Sequence, residues 1–246
     1  MICIVLAAGY ATRLYPLTEN FPKPLLQVKE KPILDWLLDD IDRSGLVDRY
    51  VIVSNHRYVE HFTKWASHKK MTARMDVLDD GSVSNETRLG AVRDIQFAID
   101  ILDLDDDLFV IAGDNLLDFG LADFLVYAQQ KSTTCVMRYW EPSVEKLRKA
   151  GVARVDALDR IVHMAEKPES PVDHWCVPPF YYYRRGDVPL IRKAIEEGCG
   201  TDAPGSLIAW LTNILPIHAM EMPGKRFDIG DLESYREVQE WFRINS

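Results

Sequence analysis

Residues 2–26 read Ile2-Cys3-Ile4-Val5-Leu6-Ala7-Ala8-Gly9-Tyr10-Ala11-Thr12-Arg13-Leu14-Tyr15-Pro16-Leu17-Thr18, then Glu19-Asn20-Phe21 and Pro22-Lys23-Pro24-Leu25-Leu26. Five apolar residues form a buried-strand candidate that runs directly into small residues. Small residues let a backbone approach a ligand closely, and successive N–H groups in such a turn make a concavity that binds anions. Arg13 then adds a planar fork for phosphate oxygens and Lys23 a mobile point charge. Either cation alone would be an ordinary surface charge; two beside an amide cradle match a triphosphate. The stretch is neither a Walker A loop nor a G-x-G-x-x-G fingerprint.

Outward from this stretch, apolar runs alternate with amphipathic segments. Ile33, Leu34, Leu37, Leu38 and Ile41 predict a helix over 32–44, with Pro32 in its first turn. Strands are expected at 50–53, 75–78 and 108–112, and helices at 58–66 and 87–102. This is the β-α-β rhythm of a parallel sheet covered by helices on both faces. Beyond Tyr139 the texture changes: 152–155 and 161–165 suit a hairpin, and 180–183 an aromatic strand. Asp231 caps a closing helix over 231–242. The acidic run 100–107 reads as a solvated turn rather than a metal site.

The chain has 246 residues, 47% of them hydrophobic and 27% charged, enough to bury a sizeable core as one large α/β domain. Its 38 acids against 29 bases give a net charge of −9, which argues against a general nucleic-acid-binding face. The absence of a long apolar run or a signal-peptide pattern leads us to expect a cytoplasmic, soluble protein without a membrane partner. Cys3, Cys135, Cys176 and Cys199 are widely spaced, so buried thiols are expected rather than a zinc or disulfide framework.

The string from Leu6 to Leu26 resembles the signature of the sugar-1-phosphate nucleotidylyltransferases, L-A-G-G-x-G-T-R-L-x-P-L-T with a downstream P-K-P-L-L. Ala8 and Ala11 stand where that family has glycine, which is tolerable where φ stays negative. The resemblance implies a single-domain, Rossmann-like, three-layer α/β/α fold with a mixed sheet, of the nucleotidyltransferase (GT-A-like) type. It would span residues 1–246, with a nucleotide-binding half over 1–140 and a sugar-phosphate-binding half over 141–246. It also implies a reaction: condensation of a nucleoside triphosphate with a sugar 1-phosphate to give a nucleotide sugar and pyrophosphate. Many relatives are oligomers, so homo-oligomerisation stays open.

Further segments take meaning from this resemblance. Gly113-Asp114-Asn115 ends an apolar strand, where a carboxylate can hold Mg²⁺ against phosphates, although in isolation Asp114 could instead cap the following helix or a turn. The family uses the Asp there as a metal ligand, with a second in W-x-D-x-G, matched by Asp228 in Arg226-Phe227-Asp228-Ile229-Gly230. Mg²⁺ is the implied cofactor. Glu166-Lys167-Pro168 resembles the family's E-K-P, in which Lys meets the sugar's phosphate and Glu its hydroxyls. The implied catalytic set is therefore Arg13, Lys23, Asp114, Lys167 and Asp228. Nucleotide contacts fall on Leu6, Ala7, Ala8, Gly9, Thr12, Arg13, Asn85, Gly90 and Asp114. Gly90 would admit a base ring; Asn85 would either read a pyrimidine edge or cap the following helix. On the sugar side, Glu166 and Lys167 are joined by Pro179, which replaces a family glycine, while Arg88 replaces a small residue near the base. A cytidylyltransferase acting on phosphocholine or another phospho-alcohol is the nearest alternative. A nucleotide-sugar glycosyltransferase or a silent nucleotide-binding module is more distant.

Overall fold

The computed structural model describes residues 1–244. The first part of the chain forms β1 (Ile2–Leu6), β2 (Gln27–Val28), β3 (Lys31–Pro32), α1 (Ile33–Ser44), β4 (Arg49–Ser54), α2 (Val59–His68), β5 (Arg74–Asp79), α3 (Ala91–Leu102), β6 (Leu108–Ala112) and β7 (Asn115–Leu117). Then follow α4 (Ala122–Lys131), β8 (Thr134–Trp140), α5 (Val144–Leu147), β9 (Gly151–Val155), β10 (Ile161–Glu166), β11 (Trp175–Val177) and β12 (Phe180–Tyr183). The last elements are α6 (Pro189–Glu196), α7 (Gly205–Leu211), β13 (Ile217–Glu221), β14 (Arg226–Asp228) and α8 (Leu232–Ile244). The architecture is mixed α/β, as the alternation of periods predicts.

The chain packs as two compact units. One comprises Ile4–Arg88, Ala112–Ala122 and the chain from Gly224 onward. In it β1, β4 and β5 are sheet neighbours in that order, β4 and β5 pairing in parallel from Arg49↔Arg74 to Ser54↔Asp79. The short strands β7 and β14 pair antiparallel, with Asp228 opposite Asn115. Leu14, Leu26, Ile33, Leu116, Ile229, Val238 and Phe242 form one buried cluster. Trp36 packs on Phe242 with ring centroids 5.0 Å apart, and Tyr235 donates from its hydroxyl to the Gln27 carbonyl at 2.6 Å. Full burial of such a side chain contributes about 1.5–3 kcal/mol, so α8, last in the chain, fastens elements near its beginning. Asp231 caps α8 as expected, accepting from the Ser234 amide at 2.9 Å.

The other unit comprises Met1–Cys3, Leu89–Ile111 and Asp123–Pro223. Its strand order is β10-β9-β11-β8-β12-β6, and β13 joins β8 in parallel. The expected hairpin is β9 and β10. The aromatic strand β12 runs antiparallel to both β6 and β8, so the β-α-β rhythm breaks here and the sheet is mixed.

Helix α3 starts at Ala91, four residues later than the periodicity predicts. Gly90 has φ +91°, and a Cβ built there would lie 2.6 Å from the Thr201 carbonyl oxygen. The Ala91 and Val92 amides donate to the carbonyls of Asp202 and Thr201, so this backbone contact, not the apolar stripe, sets the helix start. The acidic run is consumed by pairing: Asp105 with Arg185, and Asp107 with the Tyr182 hydroxyl and the Arg185 amide. Cys3, Cys135 and Cys176 are buried free thiols, as expected, and Cys199 is partly buried. Among the described residues no helix is long and apolar enough to cross a membrane.

Candidate active site

The stretch after β1 opens as the sequence implies. Ala7 still donates to the Val53 carbonyl at 2.9 Å, but none of the amides from Ala8 to Arg13 donates to an acceptor among the described residues. A run of unpaired N–H groups needs water or an anion. This loop, with Lys23, Asp114 and Gly230, walls a cavity of about 190 Å³. Leu6, Ala7, Gly9 and Arg13 line it, whereas Ala8 and Thr12 belong to the loop but not to the wall. Ala11 lines it too, and its φ of +46° is left-handed. The condition under which alanine replaces glycine freely is therefore not met at Ala11: the methyl sits in a conformation that favours glycine, at a cost of roughly 1 kcal/mol.

Lys23 begins a short 3-10 turn at Lys23–Leu25, with Pro22 and Pro24 on either side. Only 7% of it is exposed, and its Nζ donates to Asp114 Oδ2 at 2.7 Å. Asp114 lies in the turn between β6 and β7, so it caps no helix. Gly113 beside it packs tightly: a Cβ there would come 2.9 Å from Val5 Cγ1, so a larger residue would force that side chain to shift. Burial acts to push the Asp114 carboxyl up, but the Lys23 ammonium and then the Arg226 guanidinium outweigh it and hold it below the usual carboxylate range.

Two residues absent from the predicted set complete this corner. Buried Asn115 donates from Nδ2 to Asp114 Oδ1 at 3.1 Å and to the Ala112 carbonyl at 3.2 Å. Its Oδ1 accepts from Arg226 Nη1, and Arg226 Nη2 donates to Asp228 Oδ2 at 3.3 Å. A continuous chain of polar contacts therefore joins Lys23, Asp114, Asn115, Arg226 and Asp228, which brings the two predicted metal carboxylates into one network. The signal for Arg226 was its place: it stands where the resembled motif has Trp. Asp114 lines the cavity and Asp228 is tied to it through Asn115 and Arg226; such a pair suits Mg²⁺, which takes one or two carboxylates and fills its octahedron with water and phosphate oxygens. No group of three or more His, Cys, Asp or Glu side chains suited to a metal occurs among the described residues.

Asn85 is exposed on the segment 83–88, which folds around the Thr87 hydroxyl. It does not cap α3, whose N-cap is Gly90. Gly90 is buried against Thr201, so the fold itself accounts for its missing side chain.

In the other unit, Glu166 ends β10 and its Oε2 occupies space that only glycines leave. A Cβ on Gly205 would lie 2.0 Å from it and one on Gly151 2.9 Å. Burial pushes the Glu166 carboxyl up, Lys167 opposes this, and Asp202 adds to it. Lys167 is exposed with φ +48°, and its amide donates to the Ala150 carbonyl at 2.9 Å. Pro179 is partly buried in the turn before β12, where the Phe180 amide donates to the Pro178 carbonyl at 2.7 Å.

The family model described as Nucleotidyl transferase matches residues 2–243. A UTP–glucose-1-phosphate uridylyltransferase, AglF, of Haloferax volcanii is 25% identical over 98% of this chain and 96% of its own length. A choline-phosphate cytidylyltransferase of Streptococcus pneumoniae is 26% identical over 60% of this chain and 73% of its own. Several other curated relatives are about twice as long as the region matched; the chain spans about half of their length. A crystal structure of UDP-glucose pyrophosphorylase complexed with UDP-glucose superposes with a TM-score of 0.84 at 20% identity, over 100% of this chain and 99% of that one. That likeness establishes the Rossmann-like nucleotidyltransferase fold.

Proposed function

Because the chain belongs to the nucleotidyl transferase family, we propose that it condenses a nucleoside triphosphate with a sugar 1-phosphate, releasing pyrophosphate. A phosphate oxygen of the sugar phosphate attacks the α-phosphorus in line, the bond to the β-phosphate oxygen breaks, and pyrophosphate leaves with the electron pair. The attacking group is already an anion, so the reaction needs neither a general base nor a covalent enzyme intermediate, and the protein's work is positioning and charge stabilisation. The amides of 8–13 and Lys23 hold the triphosphate. Arg13 holds the departing pyrophosphate, and Lys167 the incoming phosphate, with Glu166 on sugar hydroxyls. Asp114 and Asp228 would hold Mg²⁺, which when bound supplies neutralisation of phosphate charge. Asn85 and the segment around Gly90 lie on the side of the base, and Pro179 on the side of the acceptor. On this reading residues 1–140 carry most of the nucleotide contacts and 141–246 most of those to the sugar phosphate.

The observation that supports this most strongly is the run of unpaired amides over 8–13, in a loop whose Gly9, Ala11 and Arg13 line the same cavity as Lys23 and Asp114. Pyrophosphate release, measured with each of four triphosphates against a panel of sugar 1-phosphates, tests it. A second reading, transfer of a cytidylyl group to phosphocholine or another phospho-alcohol, draws support from the streptococcal relative and from Pro179 in place of a glycine. Release with CTP and phosphocholine but with no sugar phosphate would select it. Nucleotide binding without any release would select a silent binding module.

A further inference from the structure

We propose that Asn55, Thr18 and Tyr58, none of which lines the cavity, are positioning residues that aim the amides of the phosphate loop. The inference rests on the reading of that loop as a polyphosphate site. A peptide unit is planar and trans, so a carbonyl held on one side forces the next residue's N–H to the other. The Ala8 carbonyl accepts from Asn55 Nδ2 at 2.9 Å, which turns the Gly9 N–H away from Asn55. The Ala11 carbonyl accepts from Thr18 Oγ1 at 2.8 Å and from the Leu14 amide at 2.9 Å, which turns the Thr12 N–H away from Thr18.

Asn55 and Thr18 are fully buried, and Gly9 and Ala11 line the cavity. The carbonyls therefore point into the protein. The holders are themselves held: Asn55 Oδ1 accepts from the Tyr58 amide at 3.0 Å, and the Tyr58 hydroxyl donates to the Thr18 carbonyl at 2.6 Å. The circuit Ala8, Asn55, Tyr58, Thr18, Ala11 closes behind the loop. It also explains how Ala11 stays at a positive φ, since the Thr18 bond offsets the strain. Donors fixed before the anion arrives need no reorganisation when it does, which is where such dipoles gain their strength.

Thr18→Val is close to isosteric and removes only the donor; Thr18→Ser restores the donor without the methyl. Binding of inorganic tripolyphosphate to the full chain, followed by calorimetry, should weaken about tenfold or more in Thr18→Val, as for loss of one charge-assisted contact, and stay within about threefold of wild type in Thr18→Ser. Asn55→Asp removes the donor to Ala8 while keeping an acceptor for Tyr58, and should weaken binding similarly; it decides the matter should Thr18→Val not fold. Wild-type affinity in Thr18→Val, equal loss in the Ser and Val variants, or no tripolyphosphate binding by the wild-type protein would each overturn the inference. Tripolyphosphate binding that follows this series without pyrophosphate release from any substrate pair would instead reject the transferase reading alone.

Discussion

Lys23 Nζ and Asp114 Oδ2 are 2.7 Å apart, so the cation proposed for phosphate and the carboxylate proposed for a metal are each other's partner. The pair serves folding as well as chemistry. Although burial acts to raise it, the Asp114 carboxyl is held below its ordinary range by Lys23 and Arg226. It thus stays ionised in the folded protein at a pH where the unfolded chain, with its carboxyl near about 3.9, is protonated. Its contribution to stability is present above about pH 4 and is lost as pH falls through the depressed folded value. Lys23→Met should lower the melting temperature at pH 7, and the gap to wild type should narrow as pH falls below about 4. Circular-dichroism melts across that range check this; a gap that widens in acid contradicts it.

Asp114→Asn preserves shape and leaves Lys23 an amide oxygen as partner. Turnover should fall by about 10²–10³, the scale for losing one preorganised electrostatic group, while the far-ultraviolet spectrum is unchanged. Pyrophosphate release close to the wild-type rate would remove Asp114 from the metal-ligand role.

Gly205→Ala puts a methyl into the space of Glu166 Oε2. The carboxylate must move, so KM for the sugar phosphate should rise about tenfold, as for loss of one hydrogen bond to a charged group. KM for the triphosphate should not change. A rise confined to the triphosphate would contradict the assignment of Glu166 to the acceptor.

Gly90→Ala meets both a positive φ and the Thr201 carbonyl. It should destabilise by about 2 kcal/mol, a fall of roughly 4–8 °C in melting temperature for a chain of this size. Melting within a degree of wild type would mean that the backbone of 90–92 shifts freely.

Much of this was legible in the sequence because period and punctuation are local. Ile2–Leu6, Leu108–Ala112 and the Asp231 cap are readable within a few residues of themselves. The Asp114–Asp228 pairing was suggested by motif likeness, but what joins the two was not legible. Strands β7 and β14 are three residues each, too short for a period, and they meet across more than a hundred residues of chain. Asn115 and Arg226 meet only through that pairing. The conformation of Ala11 was not legible for a related reason: a residue's backbone torsions depend on what its peptide groups bond to, and Thr18, which holds the Ala11 carbonyl, lies seven positions away on a loop with no regular period. Gly90 was read for access of a base ring, whereas the atom that its bare Cα accommodates belongs to Thr201, which no local pattern could identify.

The central claim is transfer of a nucleotidyl group to a sugar phosphate, and the fate of the α-phosphate tests it most directly. Triphosphates labelled at the α-phosphate are incubated with the chain, Mg²⁺ and sugar 1-phosphates, and the products are separated. The account predicts that for at least one pair the label moves into a nucleotide sugar, only when the sugar phosphate is present, and that label placed instead at the γ-phosphate leaves in pyrophosphate. Label that stays in the triphosphate with every sugar phosphate, or γ-label that moves onto the sugar, would contradict it.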